Sequence, residues 1–300
     1  MEIRTLDLGF RGVRRSIASY LVLGPEGPFL IETGPASTLD ALTSSLRENG
    51  VDPSEIRDVF VTHIHLDHAG AAGWWAGQGA RVWVHEVGAP HLVDPSKLLA
   101  SAGRIYGDKM DSLWGRVEPV AAELVRPLAD GDTVRAGGVE VVAIETPGHA
   151  RHHHVYRVGD AGFTGDAAGI HVPGVGSLDL PSPPPEFDPP AWEASLDRIR
   201  SEGFARIYPT HFGGFDDVDA RLDALRDLLR SAVEFVDDLE AEGVEPDAIV
   251  EAFRRWNRDR LAAEGLDDPM LYRFETTNPP AMSVAGIRRY LKRRVERPAR

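Results

Sequence analysis

No cysteine occurs among the 300 residues of this chain. Disulfides, zinc ribbons and thiol nucleophiles are therefore excluded, and any metal must be held by nitrogen and oxygen. Long apolar runs are missing too. None reaches the roughly 20 residues needed to span a bilayer, so no membrane partner is expected. Positive charge is scarce: 33 Lys plus Arg against 47 Asp plus Glu leave a net charge of −14. Such a chain repels phosphate backbones at long range, and no nucleic acid partner is expected. Internal repeats at solenoid periods are also absent. The run Ser16–Leu23 after Arg14-Arg15 faintly imitates a secretion signal, but it is short and pairs with the apolar stretch behind it. A cytoplasmic location is the default expectation.

What is present reads as a globular body with a helical tail. Hydrophobic content of 42% and charged content of 27% suit a packed core. Ser16–Leu23 and Phe29–Glu32 read as strands around the turn Gly24–Gly27. Leu39, Leu42 and Leu46 recur at helical spacing before Gly50. Asp58–Thr62 reads as a buried strand running into His63, Gly70–Ala76 as the opening of a helix, and Arg81–His85 as a strand. Residues 86–118 are irregular with helical patches, which predicts a covering insertion. Val139–Ile144, His153–Val158 and Gly162–Thr164 are further strands. Six prolines between Pro181 and Pro190 predict an extended loop. Ala191–Ser201 reads as a helix and Phe204–Tyr208 as a strand. Beyond about residue 216, Val218, Leu222, Leu225, Leu229, Ala232, Val236 and Leu239 mark a long amphipathic helix. Helices over Ile249–Leu261 and Ile287–Arg294 follow. The expected division is a body over 1–215 and a helical extension over 216–300.

The chemistry concentrates in Thr62-His63-Ile64-His65-Leu66-Asp67-His68-Ala69-Gly70. At a strand end, residues two apart project to one side, so His63, His65 and Asp67 are expected to converge while His68 points toward a neighbouring position. Four metal-capable side chains within six residues exceed what an apolar core tolerates without partners. His149, Asp166 and His211 each stand first among strong ligands after a short apolar strand. Seven ligands then suffice for two ions about 3.5–4 Å apart.

The ordered set His63-x-His65-x-Asp67-His68, His149, Asp166 and His211 resembles the metallo-β-lactamase superfamily. Thr146-Pro147-Gly148-His149, Phe163-Thr164-Gly165-Asp166 and Pro209-Thr210-His211 look like its glyoxalase II and lactonase-like branches. The resemblance covers roughly residues 3–215. It implies an α/β (α+β) fold, a four-layer αββα sandwich with metals at one edge, here carrying a C-terminal helical extension. It further implies that His63, His65 and His149 hold one metal, that Asp67, His68 and His211 hold a second, and that Asp166 bridges them. Three departures stand out. Glu32-Thr33-Gly34 replaces a more usual Asp-Thr-Gly. His149-Ala150-Arg151-His152-His153 replaces the usual continuation, with His153 at its final position. No Tyr follows Asp166 closely, where lactone-cleaving members carry one.

The expected function is dinuclear metal-dependent hydrolysis of a small-molecule ester, thioester or lactone. Zinc is the favoured ion, with iron and manganese compatible. A hydroxide shared by the two ions is the expected nucleophile, and Asp67 the expected catalytic carboxylate. The alternative is a dioxygenase like those acting on persulfides, with a single Fe(II) held by His63, His149 and Asp166. His171, five residues past Asp166, is a candidate substrate contact. Trp74, Trp75, Tyr106, Trp114 and Phe187 are candidate walls. His85 and His91 read as surface or capping residues, and His152 and His154 as alternating between core and solvent. The basic stretch Arg288–Arg294 reads as a helix end whose cations complement the helix dipole, or as a clamp for an anionic substrate.

Overall fold

The computed structural model of the protein describes residues 1–171, 176–267, 270–271, 275 and 278–296. Strands β1 (Glu2–Asp7), β2 (Ala18–Gly24) and β3 (Gly27–Ile31) form an antiparallel meander. Then come α1 (Leu39–Glu48), β4 (Asp58–Phe60), the short α2 (Leu66–Ala69), α3 (Ala72–Gly77) and β5 (Arg81–His85). Helices α4 (Ala89–Val93), α5 (Ser96–Tyr106) and α6 (Met110–Trp114) occupy the interval before β6 (Val125–Leu128). The first sheet has the order β1-β2-β3-β4-β5-β6, parallel from β3 onward.

The second half begins with β7 (Thr133–Ala136), β8 (Val139–Glu145), β9 (His154–Val158) and β10 (Ala161–Gly165). A two-residue pair, β11 (Ile170–His171) and β12 (Leu178–Asp179), precedes α7 (Pro189–Ser201) and β13 (Arg206–Pro209). The second sheet has the order β13-β10-β9-β8-β7, with β13 parallel to β10. Helices α8 (Val218–Ala241), α9 (Pro246–Ala262) and α10 (Pro280–Glu296) complete the chain.

Strand alternation explains the layering. In β2, Tyr20 and Val22 face Phe60, Tyr156 and Phe163 between the sheets, while Leu21 packs outward with Leu30, Leu42 and Trp75. Tyr20 meets Phe163 edge-on at 5.4 Å, and Phe60 meets Tyr156 likewise at 5.3 Å. Such pairs add about 0.5–1.5 kcal/mol each beyond the area they bury. The outer face of the second sheet buries Ile144, Val155 and Ile207 against α7 and against Leu222, Leu225 and Leu229 of α8. The result is helix, sheet, sheet, helix: the four-layer αββα arrangement. Among the described residues no helix is long and apolar enough to cross a membrane.

Three local differences from the sequence reading have physical causes. The strand before the His cluster stops at Phe60, because Thr62 O already accepts a hydrogen bond from His154 N of the second sheet (2.8 Å). Helix α7 starts at Pro189, capped by the Asp188 carboxylate accepting from Ala191 N; two prolines sit comfortably where helix N–H groups have no partner anyway. Helix α10 begins at Pro280 rather than Ile287. Gly286 interrupts its apolar pattern for a reason: a Cβ there would fall 1.8 Å from the Ser182 carbonyl oxygen, so only glycine lets the helix reach the Pro-rich loop.

Candidate metal centre

The seven expected ligands meet at one edge of the two sheets. His63 and His65 follow β4, and His65, in extended backbone, is the N-cap of α2, which puts Asp67 and His68 on its first turn. Their convergence thus comes from a strand end followed by a helical turn, not from strand alternation through Asp67. His149 lies between β8 and β9, Asp166 follows β10 and His211 follows β13. Gly148 makes the loop possible: its φ is 134°, and a Cβ would fall 2.4 Å from Trp192 Cα.

Three donor groups result: His63, His65 and His149; His63, His68 and Asp166; and Asp67, His68 and His211, each with ligand atoms within 4.8 Å of one another. In the first, His63 Nε2 lies 2.8 Å from His65 Nδ1 and 3.2 Å from His149 Nε2, and His65 Nδ1 lies 2.9 Å from His149 Nε2. Asp166 reaches both sides. Its Oδ2 is 3.4 Å from His149 Nε2, and its Oδ1 is 3.3 Å from His68 Nε2 and 3.6 Å from His211 Nε2. Asp67 Oδ2 stands 3.3 Å from His211 Nε2.

Hydrogen bonds on the far nitrogens aim the imidazoles. His149 Nδ1 donates to Pro181 O (2.8 Å) and His211 Nδ1 to Ser16 O (2.7 Å), so each presents Nε2 inward. His68 Nδ1 donates to Glu32 Oε1 (3.1 Å). The same oxygen accepts from Thr62 Oγ1 (2.5 Å) and Thr210 Oγ1 (3.1 Å). With its hydroxyl hydrogen committed to Glu32, Thr62 Oγ1 accepts from His63 Nδ1 (3.1 Å), which leaves His63 Nε2 as a lone pair facing the cluster. Glu32 therefore ties both sheets and two imidazoles to one carboxylate. His153 supports Asp166: Nε2 accepts from Asp166 N (3.2 Å), while Nδ1 donates to Thr146 Oγ1 (2.9 Å).

The electrostatics divide the cluster. Burial, then neighbouring imidazoles, push His63 and His65 well below the ordinary histidine range. Burial also lowers His149, against the pull of Asp166. On the other side burial opposes charge at His68, but Asp67, Asp166 and Glu32 outweigh it and lift His68 well above its usual value. His211 is raised in the same way, with Asp166 and Asp67 overcoming burial. Burial would raise Asp67, yet His68 and His211 hold it at about 2. For Asp166, too, His68, His149 and His211 outweigh burial and keep it well below the carboxylate range.

The family model of the metallo-beta-lactamase superfamily matches residues 12–211, a span that contains every one of these ligands. The chain belongs to this superfamily. Among curated relatives of the superfamily, a metallo-beta-lactamase fold-containing protein (ST1585) of Sulfurisphaera tokodaii is 32% identical over 144 residues, 47% of this chain and 54% of that protein. An atrochrysone carboxyl ACP thioesterase of Aspergillus fumigatus is 27% identical over 209 residues, 68% of this chain and 39% of that protein. The chain spans about half or less of the length of these relatives. Among solved structures, the metallo-beta-lactamase family protein TTHA1429 of Thermus thermophilus superposes with a TM-score of 0.70 at 21% identity, covering 98% of this chain and 93% of that one. At that identity the likeness concerns the fold.

Above the cluster lies a cavity of about 290 Å³, floored by His65, Asp67, His149, Asp166 and His211. Tyr106 and Trp114 line it as expected. Phe187 does not; it packs against Trp192 and Tyr290. Trp75 is wholly buried in the core under the first sheet, with Trp74 packed against that core. His171 is not among the described lining residues. Its backbone N–H donates to His211 O and its ring rests on Phe215 at 4.8 Å, with Arg221 3.5 Å from its Nδ1. The expectation of a substrate-facing His171 is corrected accordingly: it backs the His211 loop. His85 is buried and accepts from Val87 N (3.0 Å), a capping role without surface exposure, and its ring meets buried His154 at 4.4 Å. His152 is buried and lines the cavity beside Glu186. Two of the tail cations are held by α8. Arg288 pairs with Glu240 and Arg294 with Asp237 (2.6 Å), both acids on α8, and Arg293 donates to Pro185 O.

The covering insertion was expected from the sequence, but the α5 residues it contributes and the part played by α10 were not. Leu98, Ala102 and Ile105 of α5 and Met282 of α10 line the cavity, 176 residues apart where Tyr106 Oη meets Met282 Sδ at 3.8 Å. The apolar stripe of α5 was the available signal. Nothing local marked Met282.

Proposed function

We propose that the protein is a metal-dependent hydrolase that holds two divalent ions among these seven side chains and cleaves a small-molecule ester, thioester or lactone. The observation that carries this is the split carboxylate of Asp166, with one oxygen toward each donor set. The residues fit such ions. His68 Nε2 and Asp166 Oδ1 are buried without hydrogen-bond partners, and three imidazole nitrogens crowd within 2.8–3.2 Å of one another. Lone pairs so placed call for a cation among them. His63, His65 and His149 would hold one ion, Asp67, His68 and His211 the other, and Asp166 both. The nitrogen and oxygen donors favour zinc and admit iron or manganese. When bound, two such ions lower the pKa of water toward neutrality and polarise a carbonyl oxygen.

The chain's own groups supply the rest. Asp67 is ionised, keeps 24% of its side chain exposed and borders the cavity, so it is placed to accept a hydrogen bond from an attacking water and orient it. Glu32 and the carbonyls of Pro181 and Ser16 hold the imidazoles in place, so little reorganisation accompanies reaction. The thioesterase named among the relatives supports the thioester member of the substrate set.

Elemental analysis with a panel of esters, thioesters and lactones tests the reading. Close to two first-row metal ions per chain are expected, with turnover of at least one bond type that is lost on chelation and restored by zinc. One tightly bound iron even after metal supplementation, together with oxygen uptake on a persulfide, would overturn it in favour of the dioxygenase.

A further inference from the structure

We infer that the cavity above the metal centre is an acyl subsite, and that the substrate carries an unbranched apolar acyl group of about six to eight carbons. This rests on the hydrolase reading and names the substrate class that reading leaves open. The first observation is continuity: one space of about 290 Å³ has the ligand cluster as its floor and mostly apolar side chains above it. Leu98, Ala102 and Ile105 face it from α5, Pro183 and Pro184 from the Pro-rich loop, and Met282 from α10. At ~30 Å³ per water-sized unit, it takes about ten such units, of which the scissile carbonyl and its two flanking atoms use part.

The second observation is that the polar groups around the Pro-rich loop are already engaged. Arg151 is bound to Glu186 through two nitrogens (2.9 and 2.7 Å), and His152 approaches the same carboxylate at 3.3 Å. Asn278 donates to Asp179 (2.5 Å). On that side the wall offers a substrate mainly contact area and shape, and the polar side chains His91, Lys97 and Ser101 stand on the opposite side, from α4 and α5. The third observation is the mouth. Val87 and Ile105 both border the cavity and are large apolar side chains left 43% and 48% exposed. An apolar lip of this kind extends the acyl track to the surface.

Acyl thioesters and free carboxylates of graded length test this on the zinc-loaded, full-length protein. From acetyl to octanoyl, kcat/KM should climb about fourfold per added methylene and level off near eight carbons. Ile105→Asp, an exposed position where folding is safe, should lower the octanoyl-to-acetyl ratio at least tenfold, and Ala102→Phe should shorten the length at which the rise stops. Calorimetry with octanoate and butyrate supplies a readout without turnover, and octanoate should bind at least tenfold tighter. A flat or falling length profile with equal binding of the two acids would overturn the acyl subsite while leaving hydrolysis intact. Preferential octanoate binding without hydrolysis of any ester, thioester or lactone would uphold the subsite and overturn the hydrolase reading instead.

Discussion

In the ligand cluster beneath the cavity, His63, His68, His149 and His211 each have the outward ring nitrogen tied to a hydroxyl, a carboxylate or a carbonyl. On the roof, the insertion and the last helix meet across the opening through the Tyr106–Met282 contact, and Ile105 stands half exposed. The floor is over-determined and the roof is lightly held. The difference teaches where rate and selectivity reside. Groups that must be placed within a fraction of an ångström are built on strand ends and supported from behind. Groups that only present apolar surface sit on an insertion between strands, where change costs the fold little.

Breaking the floor should have the largest effect. Asp166→Ala removes the one carboxylate shared by both donor sets, and kcat should fall about a thousandfold or more, with less than two metal ions retained. Turnover and elemental analysis check both halves; a variant with full metal and near-normal kcat would end the floor's special standing. Glu32→Gln should be milder, because the neutral amide keeps the shape and loses the charge opposite His68. A drop of about 10- to 100-fold in metal affinity is expected by competition with a chromophoric chelator. An unchanged affinity would show that the Glu32 hydrogen bonds are bystanders.

The roof should respond in a different currency. Met282→Ala should raise KM for an apolar substrate by about three- to tenfold with kcat held within a factor of two, the pattern of lost uniform binding. A matching fall in kcat would mean the roof also positions the reacting atoms. The smallest effect is expected in the tail. Arg288→Ala combined with Arg289→Ala should leave KM unchanged even at low salt and shift Tm by less than about 3 °C, since exposed ion pairs contribute little. A salt-sensitive rise in KM would move the tail onto the roof.

The same contrast governs what the sequence revealed. The floor was legible because metal-capable side chains are rare at strand ends, and His63, His65, Asp67 and His68 crowd into six residues. The strands and helices were legible from apolar periodicity, and their layering from the family resemblance. What escaped depended on distant partners. Residues 62–65 leave the first sheet because Thr62 O is claimed by His154 N, a neighbour invisible along the chain. The Arg288 and Arg294 side chains looked free until α8 supplied Glu240 and Asp237, 48 and 57 positions earlier. Glu32 read as a substitution in a motif; its value lies in three donors from residues 62, 68 and 210.

A chain without cysteine has no covalent staple, yet the floor draws ligands from both sheets. Under the two-ion reading, His63 and His149 grip one ion across 86 positions of sequence. Closing a loop of that span removes about 4.6 kcal/mol of unfolded-chain entropy in the treatment used for disulfides, a large share of the roughly 5–15 kcal/mol typical of a whole domain. The sandwich would then be riveted at the edge where it reacts. A chelator would act on it as a reductant acts on a disulfide-bonded domain, and the newly made protein would reach its full mechanical strength only in a compartment able to supply the metal.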